Sequence, residues 1–179
     1  MNKTLQLVVS LTVIAAICAS ILATVNTVTK DQIATLKARS VQNAAKIVLP
    51  KSVTDIEVGA DGIFVGKSKS GKALAYAVIG VDSHGFAGDI KLMVGFLPDY
   101  TVVTYQKLEA QETPGLGSNL TSPEFMKQFK GKTAATDLKV TKDGGEIVAI
   151  TSATITSRAV CGAVNQARQQ LQKFFAQNK

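Results

Sequence analysis

The chain has no tryptophan, one histidine and two cysteines among 179 residues. Each scarcity removes a class of chemistry. Two cysteines cannot supply a disulfide framework, a cysteine-rich zinc site or a four-thiolate iron–sulfur cluster. One histidine excludes a His-rich metal site and a multi-haem protein. A Ser-His-Asp triad would have to use His84, which lies in a turn-like run, Asp82 to Gly85, with no nucleophile motif around Ser83. Acidic residues are also few: 13 Asp+Glu against 20 Lys+Arg, a formal net charge of +7. The lysines are scattered and not interleaved with aromatics. They read as surface charge, so no nucleic-acid partner is expected.

What the chain does have is one long apolar run. Leu5 to Val25 carries no charge. As a helix it would rise roughly 30 Å, about the thickness of a bilayer's hydrocarbon core. A cleaved signal peptide is the weaker reading, because Lys3 is the only charged side chain before the run and no A-x-A site follows it. Cys18 lies inside the run and Cys161 far beyond it, so both are expected as free thiols. Charge alone gives a weak orientation. Lys30, Lys37 and Arg39 outnumber Lys3, which leans towards a cytoplasmic C-terminal domain, although long domains often escape that rule.

Beyond the run, residues 31–48 space Ile33, Leu36, Val41, Ala44, Ala45 and Val48 as a helix that Leu49 and Pro50 end. Short runs rich in Val, Ile, Phe and Tyr then alternate with glycines. They predict strands at 63–65, 73–81, 90–96 and 101–108, with a turn at Leu97, Pro98 and Asp99. Ser122 is placed to cap a short helix from Pro123. Val140 and residues 146–149 are further strand candidates. From Thr156 or Ser157, Val160, Ala163, Val164, Ala167, Leu171, Phe174 and Phe175 form one apolar helical stripe. The pattern predicts an α+β chain: an N-terminal transmembrane helix, then one domain with an antiparallel sheet packed by helices. The expected divisions are an anchor at 1–27, a juxtamembrane helix or linker at 28–50, and the domain at 51–179.

Three stretches invite a chemical reading. Gly66, Gly71 and Lys72 have phosphate-loop spacing, but Ala73 stands where a hydroxyl is needed and strands flank the loop, so it reads as a basic hairpin turn. Gln111, Glu112, Thr113, Pro114, Gly115, Leu116, Gly117 and Ser118 form an exposed turn whose glycines would let a flat ligand approach the backbone. Thr151, Ser152, Thr154, Thr156 and Ser157 place hydroxyls just before the last helix. They are either an ordinary cap and strand end or, with Arg158 and free helix amides, an anion site.

Taken with the strand Gly85, Phe86, Gly88, Ile90, Val94 and Gly95, the last two stretches resemble the FMN-binding domain family. The run 112–117 reads E-T-P-G-L-G, and 151–157 reads T-S-A-T-I-T-S against the family's [ST]-G-A-T-x-T-S. Within the family the chain is similar to the G subunits of Rnf-type ion-translocating electron-transfer complexes and to the C subunits of sodium-pumping NADH:quinone oxidoreductases. Ser152 stands where the family has Gly, and Val148 where it often has Asp.

The resemblance implies FMN joined covalently, through its phosphate, to Thr154 by a separate flavin transferase using FAD. It implies cofactor contacts from Glu112, Thr113, Gly115, Leu116, Gly117, Thr151, Ser152, Ala153, Thr156, Ser157 and Arg158. It implies no catalytic residue and no metal. The partners would be integral redox subunits of a ferredoxin:NAD+ complex in the bacterial inner membrane, with the flavin domain on the extracytoplasmic side. That placement takes precedence over the weak charge signal. Two alternatives stay open: a flavin subunit of another extracytoplasmic electron-transfer chain, or an anchored scaffold domain that has lost the flavin.

Overall fold

In the centre of the chain two segments, 73–81 and 90–96, are apolar at nearly every position. Only a sheet covered on both faces can bury such strands. The computed structural model, which describes residues 2–59 and 62–177, has this sheet. Five strands form an antiparallel meander in chain order: β1 (Asp55–Val58), β2 (Phe64–Lys67), β3 (Ala73–Gly85), β4 (Gly88–Phe96) and β5 (Val102–Glu109). Helix α1 (Lys3–Val48) precedes them, and α2 (Pro123–Lys127) and α3 (Thr154–Gln177) follow. The chain is α+β, as its pattern predicts.

The chain divides into two units, Met1–Ser40 and Val41–Lys179. The first is the greater part of α1. The segments that the sequence pattern separates into an anchor and a second helix are one continuous helix, long and apolar enough to cross a membrane. Several of its hydroxyls do not need water: Thr12, Ser20 and Thr24 each donate to the carbonyl four residues back, at 2.8 Å. That local bond is what makes a hydroxyl tolerable in an apolar helix.

In the second unit, successive strand residues point to opposite faces. Tyr76, Val78, Leu92 and Val94 pack with Val160, Ala163, Val164, Ala167 and Leu171 of α3. Ala75, Ala77, Met93 and Phe64 pack with Ala44, Ala45, Val48 and Leu49 at the end of α1. The sheet is therefore the middle of three layers. Gly80 sets the spacing of one of them, since a Cβ there would lie 2.0 Å from the Ala163 carbonyl oxygen.

Three expectations from the sequence shift. No strand forms at 146–149; Val140 and Ile147 make a single bridge around the left-handed Gly144 (φ 79°). β1 forms where the sequence pattern predicts no strand, because its burial is nearly nil and its alternation carries little signal. And α3 starts at Thr154, two or three residues earlier than its apolar stripe suggests.

Candidate functional site

The early start of α3 decides the chemistry of its N-terminus. The Ser157 N–H already donates to the Ala153 carbonyl at 3.0 Å, so Ser157 is inside the helix and cannot be its cap. Its hydroxyl is a latch: it accepts from the Ile150 N–H at 2.9 Å and donates to the Ala153 oxygen at 2.9 Å. The amides of Thr154, Ile155 and Thr156 are left at the open, positive end of the helix. Ser152 makes the preceding turn at φ 60°, in the left-handed region. The family's usual glycine at this position has a physical reason, because only glycine enters that region without steric cost.

Beside this terminus lies a cavity of about 320 Å3, lined by Phe86, Glu112, Thr113, Leu116, Gly117, Ser152, Ala153, Thr154, Ile155 and Thr156. That is the small end of the ~300–1,000 Å3 range of ligand clefts. Three elements meet there, and Glu112 ties them together. Its Oε1 accepts from the Phe86 N–H at the β3–β4 turn (3.0 Å), and its Oε2 accepts from the Thr156 hydroxyl in α3 (2.8 Å). Gly117 makes the junction possible: a Cβ would sit 2.4 Å from Glu112 Oε2 and 2.7 Å from Thr156 Oγ1. The hydroxyl of Thr154 is half-buried and has no hydrogen bond among the described residues.

The structure thus gathers Glu112, Thr113, Leu116, Gly117, Ser152, Ala153, Thr154 and Thr156 at one cavity. Gly115 and Thr151 lie instead in an adjoining groove that shares Leu116 and Ser152. Ser157 is buried in its latch. Arg158 faces elsewhere: its Nε and Nη2 donate to the two carboxylate oxygens of Asp143, both at 2.7 Å. That hydrogen-bonded guanidinium holds the Asp143 carboxyl below the usual carboxylate range. Phe86 and Ile155 also line the cavity, and sequence reasoning does not single them out as site residues. Phe86 lies within a motif stretch of β3 and β4, but only the hairpin register carries it to Glu112. Ile155 falls off the apolar stripe of α3, so its spacing marks it as surface. His84 pairs with Asp82 at 3.0 Å and not with a serine.

A family profile described as an FMN-binding domain matches residues 85–169. This span holds every residue of the cavity. The fold and site therefore define a flavin-binding domain. Curated relatives narrow this further. The G subunit of an ion-translocating oxidoreductase complex from Methanosarcina acetivorans is 36% identical over 90% of this chain and 91% of its own. The G subunit of a proton-translocating ferredoxin:NAD(+) oxidoreductase complex from Clostridium ljungdahlii is 34% identical over 97% and 94%. Its counterpart in a Na(+)-translocating ferredoxin:NAD(+) oxidoreductase complex from Acetobacterium woodii is 34% identical over 90% and 88%. The chain belongs to this family, the G subunits of ion-translocating oxidoreductase complexes.

The residues present fit a flavin phosphate ester. They offer an unbonded hydroxyl at Thr154, open helix amides around it, and an apolar recess formed by Phe86, Leu116, Ala153 and Ile155. Among the described residues no group of three or more His, Cys, Asp or Glu is placed to hold a metal.

Proposed function

We propose that this chain carries FMN joined through its phosphate to Thr154, and that it passes electrons between integral redox subunits of an Rnf-type ferredoxin:NAD+ oxidoreductase. The observation that carries the reading is the position of Thr154. It is the first residue of α3, its hydroxyl is unengaged, and it opens on the cavity.

In maturation, a flavin transferase would move the FMN half of FAD to that hydroxyl. The threonine oxygen forms the new P–O bond and loses its proton, and AMP leaves. The amides of Thr154, Ile155 and Thr156 would then be the groups to hold the phosphate. Their dipole contributes only about 0.3–1 kcal/mol at a surface, so they orient the group and the covalent bond retains it. Once bound, the flavin supplies the redox chemistry, and the protein supplies position and field.

Ser152 keeps the left-handed turn that glycine would make, so this departure does not remove the attachment geometry. At Val148, the other departure, the backbone N–H and carbonyl are held by the Gln128 side chain at 2.7 and 3.2 Å. The retained turn at Ser152 supports the flavin-carrying reading over the flavin-free scaffold. Overall identity does not single out a coupling ion for this chain: two relatives, each 34% identical to it, are named for a proton-translocating and a Na(+)-translocating complex.

Protein made together with a flavin transferase tests the reading. The denatured wild-type band is expected to fluoresce as flavin, and the Thr154→Ala band to be dark. A dark wild-type band would favour the scaffold, and a bright Thr154→Ala band would move the attachment elsewhere. We place α1 across the inner membrane with the domain outside the cytoplasm. A C-terminal reporter active only outside the cytoplasm should be active, and a cytoplasmic readout would overturn the placement.

A further inference from the structure

The Thr154 cavity has an uneven charge. Among the residues lining it, Glu112 is the only ionisable one. Its two oxygens are bonded by a backbone N–H and a hydroxyl, neither of which carries charge. The cation nearest in the motif, Arg158, is committed to Asp143 and does not line the cavity. The rest of the wall is largely apolar: Phe86, Leu116, Ala153 and Ile155. A charge beside such a wall acts more strongly on its neighbour than it would in water.

We propose that Glu112 sets the reduction potential of the bound flavin low, in addition to latching the cavity. The inference rests on the attachment at Thr154 proposed above. Its physical basis is charge balance. A flavin that takes up two electrons and one proton gains one negative charge relative to its oxidised form. A fixed carboxylate beside it opposes that gain, and charge near the ring is one of the main means by which a protein tunes flavin potential. Phe86 and Thr156 keep the carboxylate from turning away, so its effect is built into the site.

The test is a reductive titration of FMN-loaded full-length protein in detergent, with dithionite as electron donor and a reference dye. Glu112→Gln keeps the shape and an oxygen acceptor for the Phe86 N–H, and removes the charge. Its midpoint potential should rise above wild type. Thr113→Lys places a cation on the same wall without touching either Glu112 bond, and should also raise it. Glu57→Gln makes the same charge change on β1, outside the cavity, and should leave the potential at the wild-type value.

If Glu112→Gln does not fold or load, Thr113→Lys decides: a raised potential supports the proposal and a wild-type potential overturns it. Loaded Glu112→Gln and Thr113→Lys proteins that both titrate like wild type also overturn it. In that case Glu112 would be a latch only, read as a lower melting temperature at constant potential. Failure of the underlying reading looks different, because the denatured wild-type band would then carry no flavin fluorescence.

Discussion

At the residue scale, two positions carry the geometry of the site. Ser152 holds φ 60° without being glycine. The left-handed region costs an L-residue about 1–2 kcal/mol, partly offset by glycine's greater freedom when unfolded, ~0.4–1 kcal/mol. Ser152→Gly should therefore keep flavin loading and raise stability by roughly 0.5–1 kcal/mol. The urea midpoint should rise at an unchanged m-value. Gly117→Ala should do the reverse. Its methyl would strike Glu112 and Thr156, cost about 1–3 kcal/mol and loosen the cavity. Cys161 gives a pH-dependent case. Burial pushes its thiol up from the ordinary 9.0 to about 12. The folded state favours the neutral thiol, so this contribution is complete below about pH 9. It is lost as pH rises towards 12, because the unfolded chain releases its proton first. In Cys161→Ala, stability should fall less steeply between about pH 9 and pH 11. The motif around Thr154, the proposed attachment residue, is legible at this scale because it is local. The engagement of Arg158 is not: its partner Asp143 stands fifteen residues earlier on an irregular turn, Thr141–Asp143, that no periodicity announces.

At the scale of elements, the domain is legible where burial is one-sided or complete, and illegible where it is absent. β3, β4, β5 and α3 advertise themselves by apolar runs or stripes. β1 does not, because it is an edge strand with three exposed residues of four. The start of α3 is hidden for a related reason. The stripe begins only where the helix meets the sheet, and the first turn, with Thr154 and Ile155, faces the cavity instead. The contact between α3 and β3 depends on Gly80. A Cβ at that position meets backbone, the Ala163 carbonyl, which cannot rotate away as a side chain could. Gly80→Ala should therefore pry α3 from the sheet and cost about 3 kcal/mol or more. Because α3 also supplies the floor of the cavity, the variant should load less flavin in the transferase assay. A fully stable Gly80→Ala protein would show that the layer spacing is softer than the packing indicates.

At the scale of the whole chain, α1 does two jobs at its two ends, and truncation separates them. Residues up to Ser40 form the first unit, and the second begins at Val41. The last two turns of α1 and the residue that follows belong to the second: Ala44, Ala45, Val48 and Leu49 are buried and cover Phe64, Ala75, Ala77 and Met93 on one face of the sheet. Burying a Val or Leu side chain is worth about 1.5–3 kcal/mol. Losing Val48 and Leu49 alone would thus remove roughly 3–6 kcal/mol, a large part of the ~5–15 kcal/mol by which a domain is usually stable. A chain starting at Val41 should be released from membranes, remain folded and still accept flavin at Thr154. A chain starting at Lys51 begins at the expected boundary between linker and domain, yet should expose an apolar sheet face, melt at much lower temperature and aggregate. Thermal unfolding and gel filtration of the two truncations compare these outcomes directly. Equal melting temperatures would mean that the end of α1 is only a tether. The expected difference would make the anchor helix part of the flavin domain's core, so that membrane attachment and cofactor carriage share one continuous element.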